Sequence, residues 1–130
     1  MIDQFVAWLK TQFPTYTFIQ DNFDKRSPNE CTLVRSTGGE IAHDHDRRDP
    51  TLQFLTRNRD RYECKKQSNT IFEGIINRFH LTIPSVTIGT DVYPSFVAAR
   101  IVPIQLPGLI GSDDEMRFMY SFNIIVTKTK

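Results

Sequence analysis

The residues best equipped for chemistry stand together. His43-Asp44-His45-Asp46-Arg47-Arg48-Asp49 places two imidazoles and three carboxylates within seven positions. Both groups are ordinary ligands for zinc and related ions. Histidines two apart project to one side of an extended chain, and dinuclear hydrolases with an HxHxDH run use that arrangement. Here the Asp of such a run would stand at position 47, which is Arg47, and two guanidiniums beside a cation repel it at short range. The remaining histidine, His80, is distant, and no later Cys, His, Asp or Glu has the spacing to complete a shell. Three readings stay open: a solvated loop, adventitious surface capture of metal, or a small metal-dependent hydrolase working through His43 and His45. The solvated loop requires the fewest assumptions, so no metal and no cofactor is expected.

Other chemistries have less to work with. There is no GxSxG elbow, and neither Cys31 nor Cys64 has a neighbouring histidine that would activate a thiolate. Gly38-Gly39 is followed by no Lys-Ser/Thr and opens no helix, so it lacks the parts of a phosphate loop. Arg57, Arg59, Arg61, Lys65 and Lys66 could face DNA. Asp60 and Glu63 interleave with them, however, and that spacing equally suits ordinary pairing along a helix. Any contact with duplex backbone would be through phosphates and carry no sequence information. Catalysis is not expected.

Elements must hold these residues in place, and the chain is short for more than one domain. Its 130 residues fit a single unit, with 39% hydrophobic and 24% charged residues. The formal charge of +1 supplies no global field for nucleic acid or anionic lipid. Residues 31–66 carry eight basic and six acidic groups, whereas 67–130 carry only five of each. That sparsely charged second half is also the apolar, β-branched one, a pattern that accompanies burial against another subunit. No window approaches the ~18 apolar residues of a membrane span. Met1 leads straight into an amphipathic stretch rather than a signal peptide, so the two cysteines are expected to be reduced core thiols of a cytoplasmic protein.

Ile2, Phe5, Val6, Leu9 and Phe13 recur at helical spacing before Pro14, which predicts a helix over about 2–13, with Trp8 as a packing residue. Strands are expected over 15–20, 30–36 and 51–57, with Thr37-Gly38-Gly39 interrupting the second. Asp60 and Glu63 stand in a capping-box relation and open a helix to about Phe79, with Ser68, Ile71, Phe72, Ile75, Ile76 and Phe79 along its stripe. A short strand over 85–89 and long ones over 93–104 and 117–127 follow. The first long strand would put Phe96, Ala98, Arg100, Val102 and Ile104 on one face. The second would do the same with Phe118, Tyr120, Phe122, Ile124 and Val126. Gln105 to Glu115 reads as an irregular apolar loop between them. The order predicts an α+β domain, a mostly antiparallel sheet with two α-helices packed on one face.

The segments from Cys31 to Glu40 and from Arg47 to Arg57, then Tyr62 and the helix beyond it, resemble the phage minor capsid family whose members look like tail terminator proteins. Pro107-Gly-Leu-Ile-Gly-Ser-Asp-Asp-Glu-Met-Arg117 and the alternating aromatic strand after it are similar to that family's long loop and last strand. The resemblance implies a structural virion protein, a tail terminator or head-tail joining subunit. Copies would form a ring, usually six-fold, that caps the tail tube and docks to the head completion or connector protein. It implies location in the virion, in host cytoplasm during assembly, and contact with no membrane. Two loops would reach neighbours: Gly38 to Asp49, with Gly38, Gly39, Glu40, Arg47 and Arg48, and Gln105 to Glu115, with Leu106, Pro107, Leu109 and Ile110. Arg57, Arg59, Arg61 and Lys65 would face a lumen and touch DNA without sequence preference. The His43-Asp44-His45-Asp46 run has no counterpart in the family. Independently of the resemblance, the apolar 106–110 group is one that a monomer has little reason to expose.

Overall fold

A computed structural model describes residues 2–24, 26–41, 48–76 and 78–128, with the backbone alone at 39–41 and 48. Among the described residues two helices and nine strands alternate as α1 (Ile2–Gln12), β1 (Phe18–Gln20), β2 (Cys31–Ile41), β3 (Arg48–Asn58), α2 (Arg61–Ile75), β4 (Phe79–Ile83), β5 (Val86–Ile88), β6 (Asp91–Tyr93), β7 (Phe96–Pro103), β8 (Gly108–Ser112) and β9 (Phe118–Lys128). The main sheet runs β1-β2-β3-β9-β7-β4, with β8 also on β9, and β5 and β6 pair separately. Every pair is antiparallel except β1 with β2. This is the expected α+β arrangement.

Alternation along β3 and β9 explains where the core lies. Leu52 and Phe54 on β3, and Phe122, Ile124 and Val126 on β9, all face the helices and are fully buried. Phe54 stacks on Phe122 with ring centres 4.7 Å apart and planes within 10°. Phe72 of α2 meets Phe122 edge-on, and Phe5 of α1 meets Phe54 likewise. Trp8 is a buried packing residue of α1. Both cysteines are buried too, Cys31 donating to the Pro28 carbonyl and Cys64 to the Thr56 and Phe118 carbonyls. Burial pushes both thiols up, Cys64 to about 11, so they stay protonated and serve as small core groups.

Several expectations change. Asp60 caps α2 through Tyr62 N and Glu63 N, but its own amide donates to Asn58 Oδ1 at 2.8 Å, so Glu63 has no reciprocal role. Helix α2 ends at Ile75, four residues early. Ile76 is extended, Arg78 Nε caps the Gly74 carbonyl at 2.8 Å, and Phe79 lies exposed on β4, because pairing with β7 satisfies that backbone instead. The 93–104 strand is split at Pro94-Ser95, and a bulge between Ala98 and Arg100 shifts its phase. As a result Ala98 and Ile101 are buried while Arg100 is exposed. The 105–115 loop contains β8, which continues along the edge of β9 where β7 leaves it. Strand β2 runs on through Thr37-Gly38-Gly39 with a register irregularity at Ser36/Gly39, where Gly38 takes φ +99.

The end of α1 meets the end of α2 at a glycine. A Cβ on Gly74 would lie 2.5 Å from Phe13 Cζ, and the Phe13 ring is held by Tyr16 and Phe18. Gly74→Ala should therefore lower stability by about 1–2 kcal/mol, against the gain of up to ~1 kcal/mol that the same change gives in an open helix. Thermal melting checks the sign.

Candidate assembly surface

Strand β4 covers β7 only as far as Ile101, whose amide donates to the Arg78 carbonyl at 3.1 Å. From Val102 through β8 no strand pairs with the outer edge among the described residues. Exposed along that edge are Ile104, Leu106 (75%), Leu109 and Ile110 (59%). Soluble proteins usually blunt a free edge with charge, proline or cover. Here only Pro103 and Pro107 do so, and apart from Gln105 and Ser112 the side chains remain apolar.

The β8–β9 hairpin closes tightly. Asp113 and Arg117 bond through Asp113 N and Arg117 O, and Met116 N donates to Asp113 O, each at 3.0 Å. Asp113 Oδ1 accepts from Glu115 N and Arg117 N, and Oδ2 pairs with Arg117 Nε at 2.7 Å. Partial desolvation raises the Asp113 carboxyl, but these bonds and the Arg117 charge outweigh it and hold the group below the usual carboxylate range. Met116 takes φ +59, the left-handed position that glycine normally fills after such a turn, and is 78% exposed.

At the diagonally opposite corner β2 and β3 leave the sheet as a two-stranded ribbon. Pairing of β1 with β2 ends at Val34 and of β3 with β9 at Thr51, while Gly39↔Pro50, Glu40↔Asp49 and Ile41↔Arg48 pair only with each other. The expected interface residues Gly38, Gly39, Glu40 and Arg48 are on this ribbon. His43, Asp44, His45, Asp46 and Arg47 lie outside the described residues. Asp49 is on β3, and His80 is exposed on β4. No three His, Cys, Asp or Glu side chains converge on a metal position among the described residues.

Arg57 requires a correction. It is 4% exposed and cannot face DNA or a lumen. Its guanidinium carbon lies 4.1 Å from the Phe23 ring centre, and it donates to the Pro28 carbonyl from Nε and Nη2 and to the Ser27 carbonyl from Nη2. The parity of β3 explains this: Thr56 points at Gln67 of α2 by way of Thr32, so Arg57 points to the other face, under the 21–30 segment. Arg59, Arg61 and Lys65 are exposed around the start of α2, apart from Arg57. What sequence reasoning missed was Met116, since the turn type that makes it unusual becomes visible only with the β8 pairing. No helix of the described residues is long and apolar enough to cross a membrane.

Comparison with models of known protein families gives no match, and comparison with curated proteins gives none.

Two outcomes test this geometry. Arg57→Ala should cost about 2–3 kcal/mol, because charge-assisted bonds to part-buried carbonyls are lost. Arg57→Lys should recover only part of it, an ammonium being unable to reproduce the fork; denaturant titration of the three proteins decides. Asp113 is depressed in the fold, so its stabilisation of the turn is present above the unfolded carboxylate pKa and is lost as pH falls through the lower folded value. An acid transition at Met116, followed by NMR, should be present in the wild type and absent in Asp113→Asn.

Proposed function

We propose that the protein is a ring-forming structural subunit, a tail terminator or head-tail joining protein of a long-tailed bacteriophage. One observation carries the reading: the free β7–β8 edge with exposed Ile104, Leu106, Leu109 and Ile110. An edge with unspent backbone donors and acceptors and apolar side chains needs a protein partner more than it needs water. The ribbon adds support. Two strands without a third are marginal in water, and the ribbon stands at the corner diagonal to the free edge, so a contact between unlike corners would run head to tail. Such a contact closes into a ring when its rotation divides the circle.

On this reading the subunit caps the tail tube on one side and meets the head completion or connector protein on the other. DNA passing through the lumen would be touched at most through phosphates, with Arg59, Arg61 and Lys65 available at the surface.

Light scattering and negative-stain imaging test the proposal. Closed rings of about six copies, alone at high concentration or with tail tube protein, are the expected outcome, and Ile110→Lys with Leu106→Glu should disperse them. A protein that remains monomeric and never caps tubes would end it.

A further inference from the structure

Tyr62, Lys65, Lys66, Asn69 and Thr70 line a shallow hollow of about 300 Å³ on α2. It is on the side of the helix turned away from the sheet, since Cys64, Gln67, Ser68, Ile71, Phe72 and Ile75 form the buried side. Tyr62 is 71% exposed, and neither lysine is ion-paired among the described residues. The hollow thus offers an aromatic wall beside two free positive charges.

The hairpin tip has the opposite character. Asp114 and Glu115 are exposed carboxylates, Glu115 already sharing Arg117 Nη1 at 3.3 Å, and Met116 stands out between them and the strand. Met116 holds a left-handed backbone that costs a non-glycine residue energy and that glycine would adopt freely. Such outliers persist where the side chain serves a purpose.

We infer that the acidic Met116 tip of one copy seats in the Tyr62–Lys65–Lys66 hollow of a second copy. Methionine suits the purpose, being an unbranched, polarizable side chain that settles readily against an aromatic ring, while Asp114 and Glu115 meet Lys65 and Lys66. The occupant is another copy. Arg117 Nη1 donates to Asn29 Oδ1 at 3.3 Å and ties the base of the hairpin to the 21–30 segment, which Arg57 holds against the face of the sheet opposite α2. The base of the tip is thereby drawn toward the face opposite α2, although Cys64 at the start of α2 touches Phe118 at the foot of the hairpin. Knob and hollow are different surfaces, so a contact in which each copy gives its knob to the next copy's hollow is head to tail and propagates. This joint rests on the ring reading for its biological setting, although its chemistry does not depend on phage.

Two variants test it. Met116→Gly with Asp114→Asn removes the knob and leaves the hollow; Lys65→Glu with Lys66→Glu reverses the hollow and leaves the knob. Sedimentation at concentrations where the wild type associates should show each variant weakened about tenfold or more, the range for losing a buried anchor and its charged rim. Mixed one to one, the variants retain a single good joint and should form a heterodimer that grows no further. Met116→Gly alone should also raise the thermal midpoint, which separates lost assembly from lost folding. Either double variant assembling like wild type, a mixture that stays monomeric, or a wild type monomeric at every attainable concentration overturns the joint. Rings that form regardless of both variants overturn the joint and leave the ring reading intact. Association through this joint into species that cap no tube sinks the phage reading and leaves the joint standing.

Discussion

The pairing of β3 with β9 is the constraint on which the rest depends. Eight residues of each strand are in register, from Thr51↔Ile125 to Asn58↔Phe118, and the Phe54–Phe122 stack lies in the middle. Strands so distant in sequence must close a long loop before they gain anything, but that cost grows only logarithmically with loop length. Once they are paired, one face of the double strand receives α2 and α1, the other receives Arg57 and the segment it holds, and the far edge of β9 receives both β7 and β8. Removing this pair leaves α2 without the surface on which it buries its apolar side, and takes from α1 the Phe54 ring that meets Phe5.

How much of this was legible in the residues follows from how locally each decision is made. The alternation from Phe118 to Val126 declared β9 because side chains of period two cannot share a face of a helix, and the Asp60 cap declared the start of α2. The end of α2 was not legible. Ile75, Ile76 and Phe79 continue a helical stripe, and only β7, waiting to pair with Phe79–Ile83, draws those residues away. The phase of β7 was lost for a related reason, since the bulge at Ala98/Arg100 swaps inward and outward positions without any residue type announcing it. At the candidate surface, the apolar 106–110 group was visible as an anomaly in composition, whereas its nature as an open strand edge emerged only from what β4 leaves uncovered. Arg57 reads as one of a basic series until its neighbours, which are backbone carbonyls nearly thirty residues earlier, are in view.

The sparse charge of the second half acquires a meaning in the fold. Strands β4, β7, β8 and β9 occupy one side of the sheet, and the acidic residues Asp113, Asp114 and Glu115 are gathered at the single turn joining β8 to β9. On these strands negative charge is thus confined to the tip, while the edge from Val102 to Ser112 that leads to it carries no charge. A monomer built for solubility would spread those groups along the edge, as exposed edge strands ordinarily do.

The parallel pair β1–β2 is unusual in being joined by only the short segment between Gln20 and Cys31, where a crossover of a dozen residues or more, commonly helical, is the rule. Arg57 substitutes for the missing helix: it gathers the segment by two carbonyls and an aromatic ring. A guanidinium keeps its proton at any pH a protein meets, and amide carbonyls and phenyl rings have none to exchange. Acid that would dissolve a lysine–carboxylate pair leaves this clasp unaltered. The crossover is therefore fastened by a buried cation whose hold is indifferent to acidity, in contrast to the carboxylate-built hairpin turn that leads into β9 beside it.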